Sequence, residues 1–215
     1  MIDRWAGHSG REWDLMLNYY DAAGMRSGVG EYAVFQKGTK FTAMKMLTDR
    51  FPQIFSAYDH VLFIDDDIET SGEDLNGLFA ACRRHSLDLA QMALTDDSAC
   101  NWNELFTRPT GSDPRRVSAV EIMMPVFSRQ ALKWVMPTFG QSISGFGLDL
   151  VWGQIVADKG GRIAVLDDIA ARHARPVDQA GGAYYRYLRR HGINAKAELW
   201  TLLKSYDAQR ELIAV

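Results

Sequence analysis

Apolar and polar positions along this chain of 215 residues follow two periods, and the changes between them mark its elements. Residues 13–20 alternate at period two, with Leu15, Leu17 and Tyr19 set against Asp14, Met16 and Asn18, which predicts a strand. A Gly-rich loop follows, and Tyr32-Ala33-Val34-Phe35 predicts a second, short one. Over 39–51 the spacing of Phe41, Met44, Leu47 and Phe51 places them on one helical face. The run Val61-Leu62-Phe63-Ile64 is apolar without alternation, as in a strand buried on both faces. Ser71-Gly72-Glu73-Asp74 then opens a predicted helix to about Arg84, with acids in its first turn and Leu75, Leu78, Phe79 and Cys82 turned inward.

Further strands are predicted over 87–94, 117–127 and 162–166. Helices are predicted over 128–135, closed by Pro137, and over 148–159, stopped by Gly160-Gly161. The tail from Tyr184 onward is helical and amphipathic, and is expected to pack on the domain or on a partner. Alternating strands and helices predict an α/β fold with a mainly parallel central sheet flanked by helices. No repeat or long linker divides it, so residues 1–183 read as one domain and 184–215 as its helical tail.

The most informative chemistry is Asp65-Asp66-Asp67, directly after the apolar run. Open α/β sheets place ligands at the carboxyl ends of their strands. Adjacent carboxylates disfavour one another's ionisation, and a divalent cation such as Mg²⁺ or Mn²⁺ relieves that penalty. The alternative is a solvated acidic turn, since Asp is common in turns. Two later segments have a similar character. In Ser144-Gly145-Phe146-Gly147-Leu148-Asp149 the glycines allow close approach of backbone to a ligand. Asp149 is there a functional carboxylate or an ordinary first-turn acid that complements the helix dipole. Asp167-Asp168 and Arg172-His173-Ala174-Arg175-Pro176 follow a strand, and His173 is a metal ligand or a structural residue. Lys37 and Lys40 flank Gly38 before a predicted helix, an arrangement suited to phosphate although not a P-loop. Glu121 interrupts an apolar strand, where it needs a partner, a substrate or an exposed face.

Composition narrows the field. With 47% hydrophobic and 11% aromatic residues the chain has what a packed core requires. A net charge of -3 gives no basic field for nucleic acid. Cys82 and Cys100 are too few for a disulfide framework and lack zinc-ligand spacing. No apolar stretch approaches the roughly 20 residues that span a bilayer, and the start lacks the layout of a secretory signal. The expectation is a soluble, cytoplasmic protein with no nucleic-acid partner and no transmembrane segment.

Taken together, Arg11 to Leu15, Asn18-Tyr19-Tyr20, the aspartate strand, Val120-Glu121-Ile122-Met123-Met124-Pro125, Ser144 to Asp149 with Trp152, and Arg172 to Pro176 resemble a GT-A-type glycosyltransferase. The set is similar in particular to a glycosyltransferase-like family labelled only as a domain of unknown function. The resemblance implies a single GT-A-like, Rossmann-like domain and transfer of a sugar from a nucleoside-diphosphate sugar to an acceptor hydroxyl, on a glycan or a small molecule. It implies Asp65 toward the nucleotide sugar with Asp66 in support, and Asp67, Asp65 and His173 as ligands of Mn²⁺ or Mg²⁺. It further implies Asp149 as acceptor base, Lys37 or Lys40 at the diphosphate, and Glu121 and Trp152 beside the acceptor. One departure stands out: GT-A domains open with a strand that holds the nucleobase, and here only Met1 to Gly10 precedes the strand that contains Trp13.

Two other readings compete. A haloacid-dehalogenase-type phosphohydrolase also has Asp-x-Asp after an apolar strand, and Asp167-Asp168 imitates its later acidic pair. Against it, Glu69 stands two residues after Asp67 where that motif has Thr or Val, and Ser144 to Asp149 has no role. A non-catalytic sugar-nucleotide or glycan-binding module of the same fold draws only on the short N-terminal segment.

Overall fold

Hydroxyl side chains start both long helices of the first half. A computed structural model describes residues 2–26, 28–109, 114–176 and 178–213. Along it run helices α1 (Ile2–Ala6), α2 (Lys40–Arg50), α3 (Pro52–Ala57), α4 (Gly72–His85), α5 (Arg129–Val135), α6 (Leu148–Asp158), α7 (Ala183–Arg190) and α8 (Ala195–Tyr206). The strands are β1 (Met16–Tyr19), β2 (Tyr32–Phe35), β3 (His60–Leu62), β4 (Ile68–Glu69), β5 (Leu89–Leu94), β6 (Arg115–Arg116), β7 (Val126–Ser128) and β8 (Ile163–His173). Thr39 caps α2 and Ser71 caps α4, each in a reciprocal box with the third helical residue. Ser86 closes α4 in the left-handed region at φ 50°.

The main sheet has the order β3-β7-β5-β8-β4, with β6 also on β8. It is mixed, which corrects the expectation of a mainly parallel sheet. Within it β5 and β8 run parallel, whereas β7 is antiparallel to both β3 and β5, and β4 and β6 are antiparallel to β8. Alternation of strands and helices in a sequence says that crossovers exist, and leaves strand direction open. A separate parallel pair, β1 with β2, lies outside this sheet.

Two strands differ from their expected form. The aspartate strand β3 is an edge strand of half-buried residues, so its apolar run reflects packing of one face and one end. Over 117–127 only Val126–Ser128 is a named strand. Val117, Ala119, Val120, Met123 and Met124 are nonetheless buried, at 4% exposure or less. The segment is apolar because it crosses the core as irregular chain, and Pro125, lacking an N–H, suits such a passage. Its carbonyls still serve β3's continuation, with Phe63 N donating to Pro125 O at 3.0 Å and Asp65 N to Met123 O at 2.9 Å.

An aromatic cluster fills the core between the sheet and α6. Trp152 meets Phe127 edge-on at 5.2 Å and Phe139 at 5.9 Å, and Phe63 meets Phe127 and Phe139. In the tail, α8 packs against α6. Among the described residues no helix is long and apolar enough to cross a membrane.

Candidate functional site

Strand β4 explains why the aspartates and the late histidine meet. Ile68 pairs with His173 across the antiparallel β4–β8 ladder, and Ala174 N donates to Asp67 O at 3.0 Å. His173 Nε2 therefore stands 3.6 Å from Asp67 Oδ2, while His173 Nδ1 lies 2.6 Å from the Ala99 carbonyl. That carbonyl accepts a hydrogen bond from Nδ1, and Nε2 faces Asp67. Burial pushes the Asp67 carboxyl up, but the His173 imidazole close by, with the charge of Arg175, outweighs it and holds it below the usual range. Reciprocally, Asp67 raises His173 against the opposing effect of burial. Asp66 is exposed, 3.9 Å from Arg175.

Asp65 faces a different partner. Lys40, the first residue of α2, reaches its Oδ1 at 2.8 Å and also donates to the carbonyls of Ile122 and Met123 at 2.6 and 3.0 Å. Burial raises the Asp65 carboxyl, Lys40 lowers it, and Asp67 and Asp66 raise it again, for a net rise. The lysine thus ties the aspartate turn to the segment that carries Glu121. Lys37 is exposed in the preceding turn, and the structure assigns it no contact with the aspartates.

Glu121 and Asp149 form the second half of the site. The Glu121 N–H donates to Gln91 Oε1 at 2.8 Å, and Glu121 Oε2 accepts from Met123 N at 2.6 Å. Burial first, then the nearby Asp149 carboxylate, push Glu121 up to about 7, with Asp65 adding to the rise and Lys40 opposing it. Asp149, in the first turn of α6, is 8% exposed and accepts from Leu150 N at 2.9 Å. Burial pushes it up to about 6. Cys100 lies within electrostatic reach of both acids, and burial raises its thiol to about 11.

Aspartates 65–67, Lys40, Glu121, Asp149 and His173 therefore share one electrostatic neighbourhood. Trp152 does not face it: the side chain is fully buried, and its Nε1 donates to Thr138 Oγ1 at 2.9 Å. Its place is in the core, where it has no surface to offer an acceptor. Asp167 is likewise spoken for, in a buried pair with Arg115 at 2.8 Å that also accepts from Arg108 N. Residues to which the sequence assigned no role in the site also border it. Gln91 is a buried amide inside the otherwise apolar β5, a signal that was visible. Tyr20 and Tyr184 both feel the aspartates, with Asp66 the main influence that raises Tyr20.

Among the described residues no three His, Cys, Asp or Glu side chains stand together as a closed metal site. Asp67 and His173 nevertheless suit a cation whose shell a substrate completes. Two neighbouring ligands of an octahedral ion stand about 3 Å apart, and Mg²⁺ is commonly bound by one or two carboxylates plus phosphate oxygens and water. The 3.6 Å pair needs little adjustment for that role.

A family model described as "Protein of unknown function (DUF707)" matches residues 7–185, which include all the site residues above. No curated protein matches the chain.

Proposed function

We propose that this chain, which belongs to the DUF707 family of proteins of unknown function, is a glycosyltransferase that moves a sugar from a nucleoside-diphosphate sugar to an acceptor hydroxyl. The observation that carries the proposal is the division of one site into two unlike halves. One half, Asp65 to Asp67 with Lys40 and His173, offers charge and oxygen ligands suited to a diphosphate and a divalent cation. The other, Asp149 with Glu121, holds carboxyls raised to about 6 and about 7, near the pH at which a general base works best.

Asp67 and His173 would hold Mn²⁺ or Mg²⁺, which supplies neutralisation of the charge that builds on the leaving diphosphate. Asp65, kept in place by Lys40, is the donor-side carboxylate, and Asp66 at the exposed corner supports it. Lys40 adds positive charge close to where the diphosphate would lie. Asp149 accepts the proton of the acceptor hydroxyl as that oxygen attacks the sugar carbon. Glu121, partly protonated near neutrality, lies alongside as a hydrogen-bond partner for the acceptor. The phosphohydrolase reading loses one member of its later acidic pair, since Asp167 is engaged by Arg115.

The test separates the halves. Asp67→Ala is expected to abolish metal-dependent binding of a nucleoside diphosphate. Asp149→Asn is expected to keep that binding while turnover falls by about 10²–10⁴-fold. Normal turnover in Asp149→Asn would reduce Asp149 to a helix-start acid and remove the base from the scheme.

A further inference from the structure

Glu198 lies on α8, beyond the residues 7–185 that the family model covers. Its carboxylate is spent on one short stretch of chain. Oε2 accepts from Ser142 Oγ at 2.9 Å, Ser144 N at 2.8 Å and Ser144 Oγ at 2.5 Å, and Oε1 accepts from Ile143 N at 3.1 Å. Ser142 and Ser144 are fully buried. Burial alone would raise the Glu198 carboxyl, but the hydrogen bonds from Ser144, Ile143 and Ser142 outweigh it and hold it below the usual range. The group is an anion whose partners here are neutral donors.

The carbonyl side of the same stretch is held as well. Thr39 Oγ1 donates to Ile143 O at 2.6 Å, and the Tyr184 hydroxyl donates to Ser144 O. The chain then passes through Gly145 and Gly147, at φ 74° and 89°, with no room on either. A Cβ on Gly145 would lie 2.1 Å from the Phe41 ring, and one on Gly147 would lie 2.9 Å from Leu199, the neighbour of Glu198. Leu148 N closes onto Gly145 O at 3.0 Å, and Asp149 is the next residue. Between Glu198 and Asp149 the backbone is therefore fixed at each step.

We propose that Glu198 is a positioning residue, whose carboxylate fixes the 142–147 loop and through it sets the place of the Asp149 carboxyl. The role in transfer rests on the reading of Asp149 as acceptor base, whereas the mechanical link does not. Hydrogen bonds from two backbone N–H groups and two hydroxyls shape a loop and contribute no charge pair to the surface. Without them the N–H groups of buried Ser144 and half-buried Ile143 lack partners, so the loop must open toward water to satisfy them.

The experiment compares the full chain with Glu198→Ala and Glu198→Gln. The Asp149 titration is followed by carboxyl-carbon NMR and assigned by its loss in Asp149→Asn. The Glu121 and Cys100 titrations are followed beside it, because those groups face Asp149. The native Asp149 value is expected near 6, and Glu198→Ala is expected to move it down toward an ordinary carboxyl as water reaches it. Glu198→Gln, which keeps one carbonyl acceptor, is expected to move it less. With a nucleotide sugar that the native chain turns over, Glu198→Ala lowers kcat by about 10²-fold, the scale set by a misplacement of about 1 Å. Affinity for the diphosphate stays unchanged. An unmoved Asp149 titration in folded Glu198→Ala overturns the proposal, even where thermal stability falls. Should Glu198→Ala not fold, a downward shift in Glu198→Gln supports the proposal and its absence overturns it. Absence of turnover in the native chain would count against the transferase reading, while the titration still decides the role of Glu198.

Discussion

Glu121 is the carboxyl in the site on which pH acts most directly, because its value is pushed up to about 7 from an ordinary 4.5. Between those values the folded chain holds a proton that the unfolded chain has released. Stability from this group is full below about 4.5 and is lost as pH rises to about 7. Glu121→Gln removes that loss while keeping an oxygen for the Met123 N–H. Denaturation of both proteins across pH should show the variant gaining on the native chain through this window and holding its gain above it; parallel curves would show that Glu121 does not titrate there. Lys40 gives a second prediction. Lys40→Met strips a counter-ion from Asp65 and a donor from two carbonyls, and should cost about 2 kcal/mol, the scale of hydrogen bonds to charged groups. A loss below about 0.5 kcal/mol would place the pair with ordinary exposed ion pairs. At this scale the sequence was uneven. Three adjacent aspartates after an apolar run, a carboxylate in an apolar segment and a histidine after a strand all stand out locally. Glu198 does not, because it looks like any acid in the first turn of a helix, and only the fold brings Ser142 to Ser144 onto it.

Elements were legible where local chemistry sets them. Thr39 and Ser71 cap helices that start within a residue of expectation, and Val135 ends α5 just before Pro137. Residues 117–127 show the opposite case, since burial in irregular chain and burial in a strand leave the same apolar signature. The Gly-rich element before α6 was marked by composition, and the structure supplies the reason that glycine stands there. Gly147→Ala should destabilise by about 1 kcal/mol from its left-handed backbone, with more added by contact with Leu199. Turnover should fall while diphosphate binding persists, read by kinetics beside calorimetry; unchanged kinetics would show that this loop does not set Asp149. A different element carries the most buried ion pair among the described residues. Arg115 on β6 is buried with Asp167 on β8, at 10% and 3% exposure, and also donates to the carbonyls of Glu104 and Phe106. Arg115→Met removes the guanidinium from Asp167 and a donor from two carbonyls, and should cost about 1.5–3 kcal/mol in urea denaturation, the scale of hydrogen bonds to charged groups. A cost under about 0.5 kcal/mol would show that Arg115 is not the partner that holds Asp167.

For the whole molecule, the mixture of strands and helices in one α/β fold was readable, and the direction of the strands was not. Direction is decided by which edges meet, as when β4 folds back antiparallel onto β8 and so delivers Asp67 to His173. That single ladder joins sequence segments about a hundred residues apart into the donor half of the site, and β3, β7 and the 121–123 turn bring up the other half. The central claim is that this assembled site takes a nucleoside diphosphate together with a divalent cation. Its most direct test is the melting temperature of the full chain with UDP, GDP, CDP or ADP, each with Mn²⁺ and with EDTA. A diphosphate at 100 times its Kd adds about 2.7 kcal/mol, a shift of about 5–10 °C for a chain of this size. The account predicts such a shift with one of the four, present with Mn²⁺, absent with EDTA and lost in Asp67→Ala. No shift with any of them, or a shift that EDTA leaves intact, would contradict it.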